Sequence, residues 1–248
     1  MQEPKSRAAS EAASVEGPTI VISANSCWNI VNFSGGLIRA LSNEGYRIMV
    51  AAPKDEHSSK LSELGATFVN LPMNSSGASV AEDLRLLLRY LAVFREHEPF
   101  AYLGFTIKPN IYGSLAARAV GAKVINNVSG LGTVFIKRSL LTRLVTGLYR
   151  FSMRRSSTIF FLNRDDLELF VGSGIARREQ ASLLEGTGID LAYFQPRPGA
   201  REPGPFRFLL VGRLLWDKGV AEYVEAARIV RRSDPEVRFQ ILLSLIHI

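Results

Sequence analysis

The segment Gly212-Arg213-Leu214-Leu215-Trp216-Asp217-Lys218-Gly219 places two cations between an apolar run, Phe206–Val211, and an amphipathic one, Gly219–Arg232. The first run reads as a strand and the second as a helix. Arg213 would then close the strand and Lys218 would open the helix, so both can face one cleft with the N–H groups of the helix start. That combination suits a diphosphate, because a helix N-terminus favours anions and Arg and Lys add charge-assisted hydrogen bonds. If the diphosphate is a leaving group, fixed cations act where negative charge develops. Gly212, Arg213 and Lys218 are the candidate diphosphate residues. The same spacing also fits cations on a solvated surface turn.

Three further groups could hold ligands. Ser34-Gly35-Gly36 reads as the loop between a first strand and a helix over Gly35–Glu44. Glycines there let backbone N–H groups approach a ligand, or simply allow close helix packing. There is no G-x-G-x-x-G, so dinucleotide binding is not supported. Thr106, Lys108 and Asn110 follow a fourth strand; Asn126, Asn127, Ser129 and Gly130 follow a fifth. Strand carboxyl ends form the crevice of an open α/β sheet. Hydroxyls and amides there suit a neutral, hydroxyl-bearing ligand, and Lys108 a phosphate; turn formation and helix capping are the competing explanation. His57, His97 and His247 show no metal spacing and Cys27 is the sole cysteine, so no metal site is expected. No residue is assigned as a catalytic base. Trp28 fits either a ligand cleft or the core.

Ile136–Arg155 mixes Leu140, Leu141, Leu144, Val145 and Leu148 with Lys137, Arg138, Arg143, Arg150, Arg154 and Arg155. Such a helix can lie on an anionic membrane surface, or pack on the core with a solvated basic face.

The elements that must position these groups alternate. Expected strands are Thr19–Ser23, Arg47–Ala52, Thr67–Leu71, Ala101–Phe105, Lys123–Asn127 and Thr158–Leu162. Amphipathic segments intervene at Lys60–Leu64, Val80–Arg95, Pro109–Val120, Ser139–Arg154 and Asp165–Val171. The rhythm argues for an α/β fold, a Rossmann-like doubly wound parallel sheet, over 19–185. Residues 1–18 read as a disordered extension without a signal-peptide apolar region, and 186–205, rich in Gly and Pro, as a linker. Residues 206–242 restart the rhythm with one β-α-β unit, expected to be the truncated start of a second domain. The final LSLIHI, 243–248, matches what a common sequencing adaptor would encode and is expected to be a non-native tail. With 248 residues, 47% hydrophobic and 21% charged, the chain has material for a sizeable core. A formal charge of +7 favours polyanions. Basic residues are not interleaved with aromatics as in nucleic-acid binders, so no nucleic-acid partner is expected.

GRLLWDKGV followed by an amphipathic helix resembles the G-R-L-x-x-x-K-G segment of family 4 glycosyltransferases, and GTGIDLAYFQP resembles the family's N-G-V-D-x-x-x-F segment, with Thr187 in place of Asn. SANSCWNIVNFSGGLIRAL, GFTIKPNIYGSLAAR and INNVSGLGTVF resemble bacterial capsule, O-antigen and N-glycan enzymes that build on undecaprenyl diphosphate, N-acetylgalactosaminyltransferases among them. The resemblance spans about residues 19–242. It implies a GT-B fold of two Rossmann-like domains facing across a cleft, with Arg213 and Lys218 on the donor diphosphate and the Ser34-Gly35-Gly36 loop on donor phosphate or acceptor. Many members carry a His at the end of the fifth strand, where this chain has Asn127-Val128-Ser129, so that role is unfilled here. The implied activity is retaining, metal-independent transfer of a sugar, N-acetylhexosamine or similar, from a UDP-sugar, with no cofactor. The implied acceptor is a lipid-linked saccharide at the cytoplasmic face of the bacterial membrane. The family's E-x(7)-E segment would lie beyond Ile248, so this polypeptide alone is expected to be inactive. A UDP-sugar 2-epimerase-like GT-B enzyme and a non-catalytic module docking a membrane or saccharide are the rival readings.

Overall fold

The computed structural model describes residues 17–74, 79–130, 140–196, 199 and 204–244; for 140–142, 213, 217 and 244 it describes the backbone alone. Two compact units, Met1–Phe194 and Gln195–Ile248, divide the chain, and each is described by itself.

Among the described residues the first unit carries seven strands, all paired in parallel: β1 (Thr19–Ser23), β2 (Arg47–Ala52), β3 (Ala66–Asn70), β4 (Ala101–Phe105), β5 (Lys123–Val128), β6 (Thr158–Phe161) and β7 (Ala181–Leu183). Their order is β3-β2-β1-β4-β5-β6-β7. The connections are α1 (Cys27–Asn43), α2 (Lys60–Glu63), α3 (Val80–His97), a π-helical turn Pro109–Gly113 leading into α4 (Ser114–Ala119), α5 (Leu140–Met153) and α6 (Arg164–Gly172). β1 is buried throughout, as befits a central parallel strand covered on both faces. Its alternating side chains feed two cores. Ile20 and Ile22 pack with Ile30 and Ile38 of α1, whereas Val21 packs with Leu86, Tyr90 and Phe94 of α3. The last three recur at helical spacing and pack with Tyr102 of β4; the rings of Tyr90, Phe94 and Tyr102 have centroids 5.2–6.1 Å apart. The chain runs outward from β1 to β3 and returns to β4 on the other side of β1. Strand order therefore reverses between β1 and β4, the place where an open sheet leaves a crevice at its carboxyl edge.

Two expectations are corrected. α1 starts at Cys27, eight residues before Gly35, because Ser26 caps it: Ser26 Oγ accepts from Asn29 N at 3.2 Å. Asp55 Oδ2 accepts from Trp28 N at 3.0 Å. β7 extends the sheet by a strand that its three residues, Ala-Ser-Leu, do not announce. Just before it, buried Gln180 donates from Nε2 to the carbonyls of Met153 and Ser156 at 2.9 and 3.1 Å, a constraint invisible to local pattern.

The second unit pairs β8 (Arg207–Arg213) with β9 (Arg238–Ser244) in parallel, joined through a 3-10 turn, Trp216–Lys218, and α7 (Val220–Ser233). Tyr223 of α7 sets its hydroxyl 3.0 Å from the carbonyl oxygens of Phe208 and Gln240, pinning the helix across both strands. β9 continues through Leu243 and Ser244, two residues into the stretch read as a tail.

Candidate functional site

At the reversal between β1 and β4 lies a cavity of about 230 Å³. It is lined by Asn25 after β1, Thr106, Ile107, Lys108 and Asn110 after β4, Asn127 to Gly130 at the end of β5, and by Met73 and Tyr149. Thr106, Lys108, Asn110, Asn127, Ser129 and Gly130, singled out in two separate sequence clusters, are thus brought together. Asn25 also follows a strand end and is findable by the same rule. Tyr149 was not, since it belongs to a helix face that reads as core.

An amide network shapes the floor. Asn110 Nδ2 donates to the Asn127 carbonyl, Asn126 Nδ2 donates to Asn110 Oδ1 and is 2.9 Å from Ser114 Oγ, and Ser156 Oγ donates to Asn126 Oδ1 at 2.6 Å. Asn110 and Asn126 are 1% and 0% exposed, so most of their hydrogen-bonding capacity is internal and their first task is to lock the ends of β4 and β5 together. Ser129 Oγ donates to Asn127 Oδ1 at 2.9 Å. Gly104 is required beneath this network: a Cβ there would come 2.7 Å from Asn110 Oδ1. Burial pushes the Tyr149 phenol up, against a smaller opposing hydrogen bond from Asn110, and keeps it neutral.

Lys108 differs from its expected role. Its Nζ lies 2.8 Å from Asp83 Oδ1 of α3, with side chains only 15% and 16% exposed. Burial, then Asp83, pushes the nearby Tyr112 phenol up. The cation is already matched by a carboxylate, so this corner of the cavity is close to neutral. Such a lining suits hydroxyl and acetamido groups better than a diphosphate.

Ser34, Gly35 and Gly36 do not reach this cavity. They lie in the middle of α1, with Ser34 and Gly35 buried, so the loop with free N–H groups that motivated them does not exist. A Cβ on Gly35 would make ordinary 3.5 Å contacts with Leu64, and one on Gly36 would meet nothing. The actual β1–α1 corner is capped by Ser26 and the Asp55 carboxylate, which disfavours an anion there.

In the second unit Arg213 ends β8, as expected, whereas Lys218 ends a 3-10 turn and α7 begins only at Val220; the Arg213 side chain lies outside the described residues. Gly219 takes φ +70° and leads into α7, whose start has no side-chain cap. Glu222 stands in the first turn of that helix.

On α5, Arg143, Leu144, Gly147, Arg150 and Phe151 are exposed, and Arg154 is exposed in the turn that follows. Arg150 is committed, donating to the Ser173 and Gly174 carbonyls at 2.5 and 3.1 Å beside the end of α6. Arg118 stacks over Phe151, with 5.6 Å to the ring centroid. Burial and then the guanidinium groups of Arg155 and Arg154 lower its pKa. Lys137 and Arg138 lie outside the described residues. No group of three or more potential metal ligands occurs among the described residues, and none of their helices is long and apolar enough to cross a membrane.

The family model for "Glycosyl transferase 4-like" proteins matches residues 20–163. The chain is 24% identical over 221 residues to the N,N'-diacetylbacillosaminyl-diphospho-undecaprenol alpha-1,3-N-acetylgalactosaminyltransferase of Campylobacter jejuni, covering 82% of this chain and 58% of that protein. Among solved structures, a putative UDP-N-acetylglucosamine 2-epimerase from Listeria monocytogenes aligns with a TM-score of 0.61 at 14% identity, over 92% of this chain and 63% of that one. HepE of Anabaena, crystallised with UDP and glucose, aligns at 0.58 and 14%, over 92% and 70%. MurG of Acinetobacter baumannii aligns at 0.51 and 15%, over 93% and 67%. Transferases and epimerases appear together, so these likenesses identify the GT-B type of fold and not the reaction. The family match covers more than half of the chain, from β1 to the cap of α6, and this chain belongs to the glycosyl transferase 4-like family.

Proposed function

We propose that this chain is part of a glycosyltransferase that moves a sugar, N-acetylhexosamine or similar, from a UDP-sugar to an undecaprenyl-diphosphate-linked saccharide. The observation that carries the reading is the cavity at the β1/β4 reversal. Groups from three strand ends line a space below the size of drug-sized pockets, small enough to suit a single sugar ring. The family match favours transfer over epimerisation, and the Campylobacter relative's name supplies the acceptor class. The first unit binds the acceptor. Arg213, Lys218 and the uncapped start of α7 take the donor diphosphate in place of a metal ion, and transfer proceeds with retention.

Docking at the inner face of an anionic membrane completes the reading. Leu144 and Phe151 are 56% and 61% exposed on the basic face of α5. Val80, Leu84 and Leu88 are exposed on α3, and both helices pack against the π-helical turn. Exposed apolar groups beside arginines fit a headgroup layer.

The chain spans 58% of the Campylobacter relative, and several apolar side chains of β8 and β9, such as Val211 and Leu242, remain exposed. Residues 1–248 alone are therefore proposed to bind acceptor without transferring sugar. The test offers farnesyl-diphosphate-linked N-acetylglucosamine to the purified chain, with and without a panel of UDP-sugars. Saturable binding without product is expected. Absence of binding overturns the acceptor assignment, and product formation overturns the inactivity. In a transfer-competent protein containing this chain, Lys218→Ala lowers turnover while leaving acceptor binding intact.

A further inference from the structure

Thr106 combines two features that each cost stability. Its φ is +64°, left-handed backbone that β-branched residues avoid; the only other described non-glycine residue with positive φ is Glu98, at the end of α3. Its Oγ1 is buried and has no hydrogen-bond partner among the described residues. Buried hydroxyls are normally satisfied, and one left alone destabilises the fold. The surroundings show how the conformation is held. Asn110 N donates to the Thr106 carbonyl at 3.0 Å, so Thr106 begins the turn that carries Lys108 and Asn110. Glycine or asparagine would make that turn with less strain, and neither stands there.

Threonine also forms part of the cavity wall, in the lining that includes Asn25 and Asn127. Three other polar side chains of that wall are engaged within the fold: Asn110 by Asn126 and Asn127, Ser129 by Asn127, and Lys108 by Asp83. The Thr106 hydroxyl, on a strained backbone, stays without a partner within a residue of that wall.

We propose that Thr106 is a specificity-determining residue of the acceptor cavity, its hydroxyl reserved for a hydrogen bond to the neutral saccharide rather than to the lipid diphosphate. The inference rests on the acceptor reading of this cavity. Thr106 does not touch the reacting bond in this role. It selects the sugar by offering a partner that only a correctly seated hydroxyl or acetamido group can satisfy. A ligand lacking that group leaves the Thr106 hydroxyl orphaned, which is how a hydrogen-bonding site rejects close analogues.

Three variants of the full chain separate this from a structural role. Thr106→Val keeps shape and removes the hydroxyl. Thr106→Ser keeps the hydroxyl. Thr106→Gly relieves the backbone. Farnesyl-diphosphate-linked N-acetylglucosamine and farnesyl diphosphate alone are titrated into each by calorimetry, alongside thermal melts. The saccharide conjugate is expected to bind Thr106→Val roughly five- to tenfold more weakly than the parent, the loss of one net hydrogen bond. Thr106→Ser stays within about twofold. Farnesyl diphosphate does not distinguish Thr106→Val from the parent. Thr106→Val and Thr106→Gly melt at or above the parent temperature, a gain in stability with a loss of recognition. Equal conjugate binding by Thr106→Val and parent overturns the proposal, as does an equal loss for both probes or a lower melting temperature for Thr106→Val. Failure of the parent to bind the conjugate at all sinks the acceptor reading and this inference with it; binding by the parent with no effect of Thr106→Val sinks this inference alone.

Discussion

Lys108 Nζ and Asp83 Oδ1 stand 2.8 Å apart at the rim of the cavity, joining the turn after β4 to the first turns of α3. The contact is ionic rather than an aligned hydrogen bond, since Oδ1 has no donor directed onto it. With both side chains largely shielded, removing either partner strands a charge. Lys108→Ala and Asp83→Ala are each expected to destabilise the first unit by about 1.5–3 kcal/mol. The double variant should lose clearly less than the sum. Urea unfolding of the four proteins measures this; additive losses would show that the pair is not coupled.

Gly113 sits against Tyr102, whose hydroxyl donates to the Pro109 carbonyl at 2.9 Å. A Cβ at Gly113 would come 1.9 Å from that hydroxyl oxygen. Gly113→Ala should therefore cost about 1–3 kcal/mol as an overpacked site. Gly104→Ala should add a loss of saccharide binding, because its Cβ would press on Asn110. Parental melting and binding in both variants would contradict the packing argument.

Cys27 is buried in the first turn of α1, with its thiol donating to the Pro53 carbonyl at 3.3 Å. Burial pushes the thiol pKa up, Asp55 adds to the effect, and the Ser58 hydrogen bond opposes it. A raised pKa in the fold means that the native state holds its proton more tightly than the unfolded chain. Stability from this group is complete below the ordinary thiol pKa and declines as pH rises from there toward the raised value. Native protein at mildly alkaline pH should react with a thiol-specific chromogenic disulfide far more slowly than urea-unfolded protein. Equal rates would mean that the thiol is accessible.

Phe151 and Leu144 test the membrane face. Phe151→Glu and Leu144→Glu should weaken co-sedimentation with vesicles containing anionic lipid and leave the melting temperature within a few degrees, because both side chains are exposed. Binding by the parent should also fall as salt rises, since basic residues contribute to it. Retention by zwitterionic vesicles alone would assign no role to Arg143 and Arg154.

Much of the fold was legible because strand and helix periodicity are local properties. Six of the seven strands of the first unit, and the β-α-β unit after the linker, follow from alternating apolar and amphipathic runs. β7 escaped because three residues with no β-branched side chain carry no local signal; pairing with β6 makes them a strand. The start of α1 is not legible in the sequence because Gly35-Gly36 resembles a turn, whereas the helix is set by Ser26 and by Asp55 from a different loop.

For the site, the sequence alone determined which residue types stand at which strand ends, because chain order and periodicity place Thr106, Lys108, Asn110, Asn127, Ser129 and Gly130 at carboxyl termini. It also carried the family, through short motifs that survive at low identity. Tertiary structure decided what each of these side chains is free to do. Asn110 and Asn126 satisfy one another, Lys108 is matched by an aspartate 25 positions earlier in the chain, and the glycines of α1 lie inside a helix. Thr106 is left with a hydroxyl that nothing in the described fold completes. Hydrogen bonding and charge pairing join residues remote in sequence, so only the folded chain reveals which polar groups remain for a ligand.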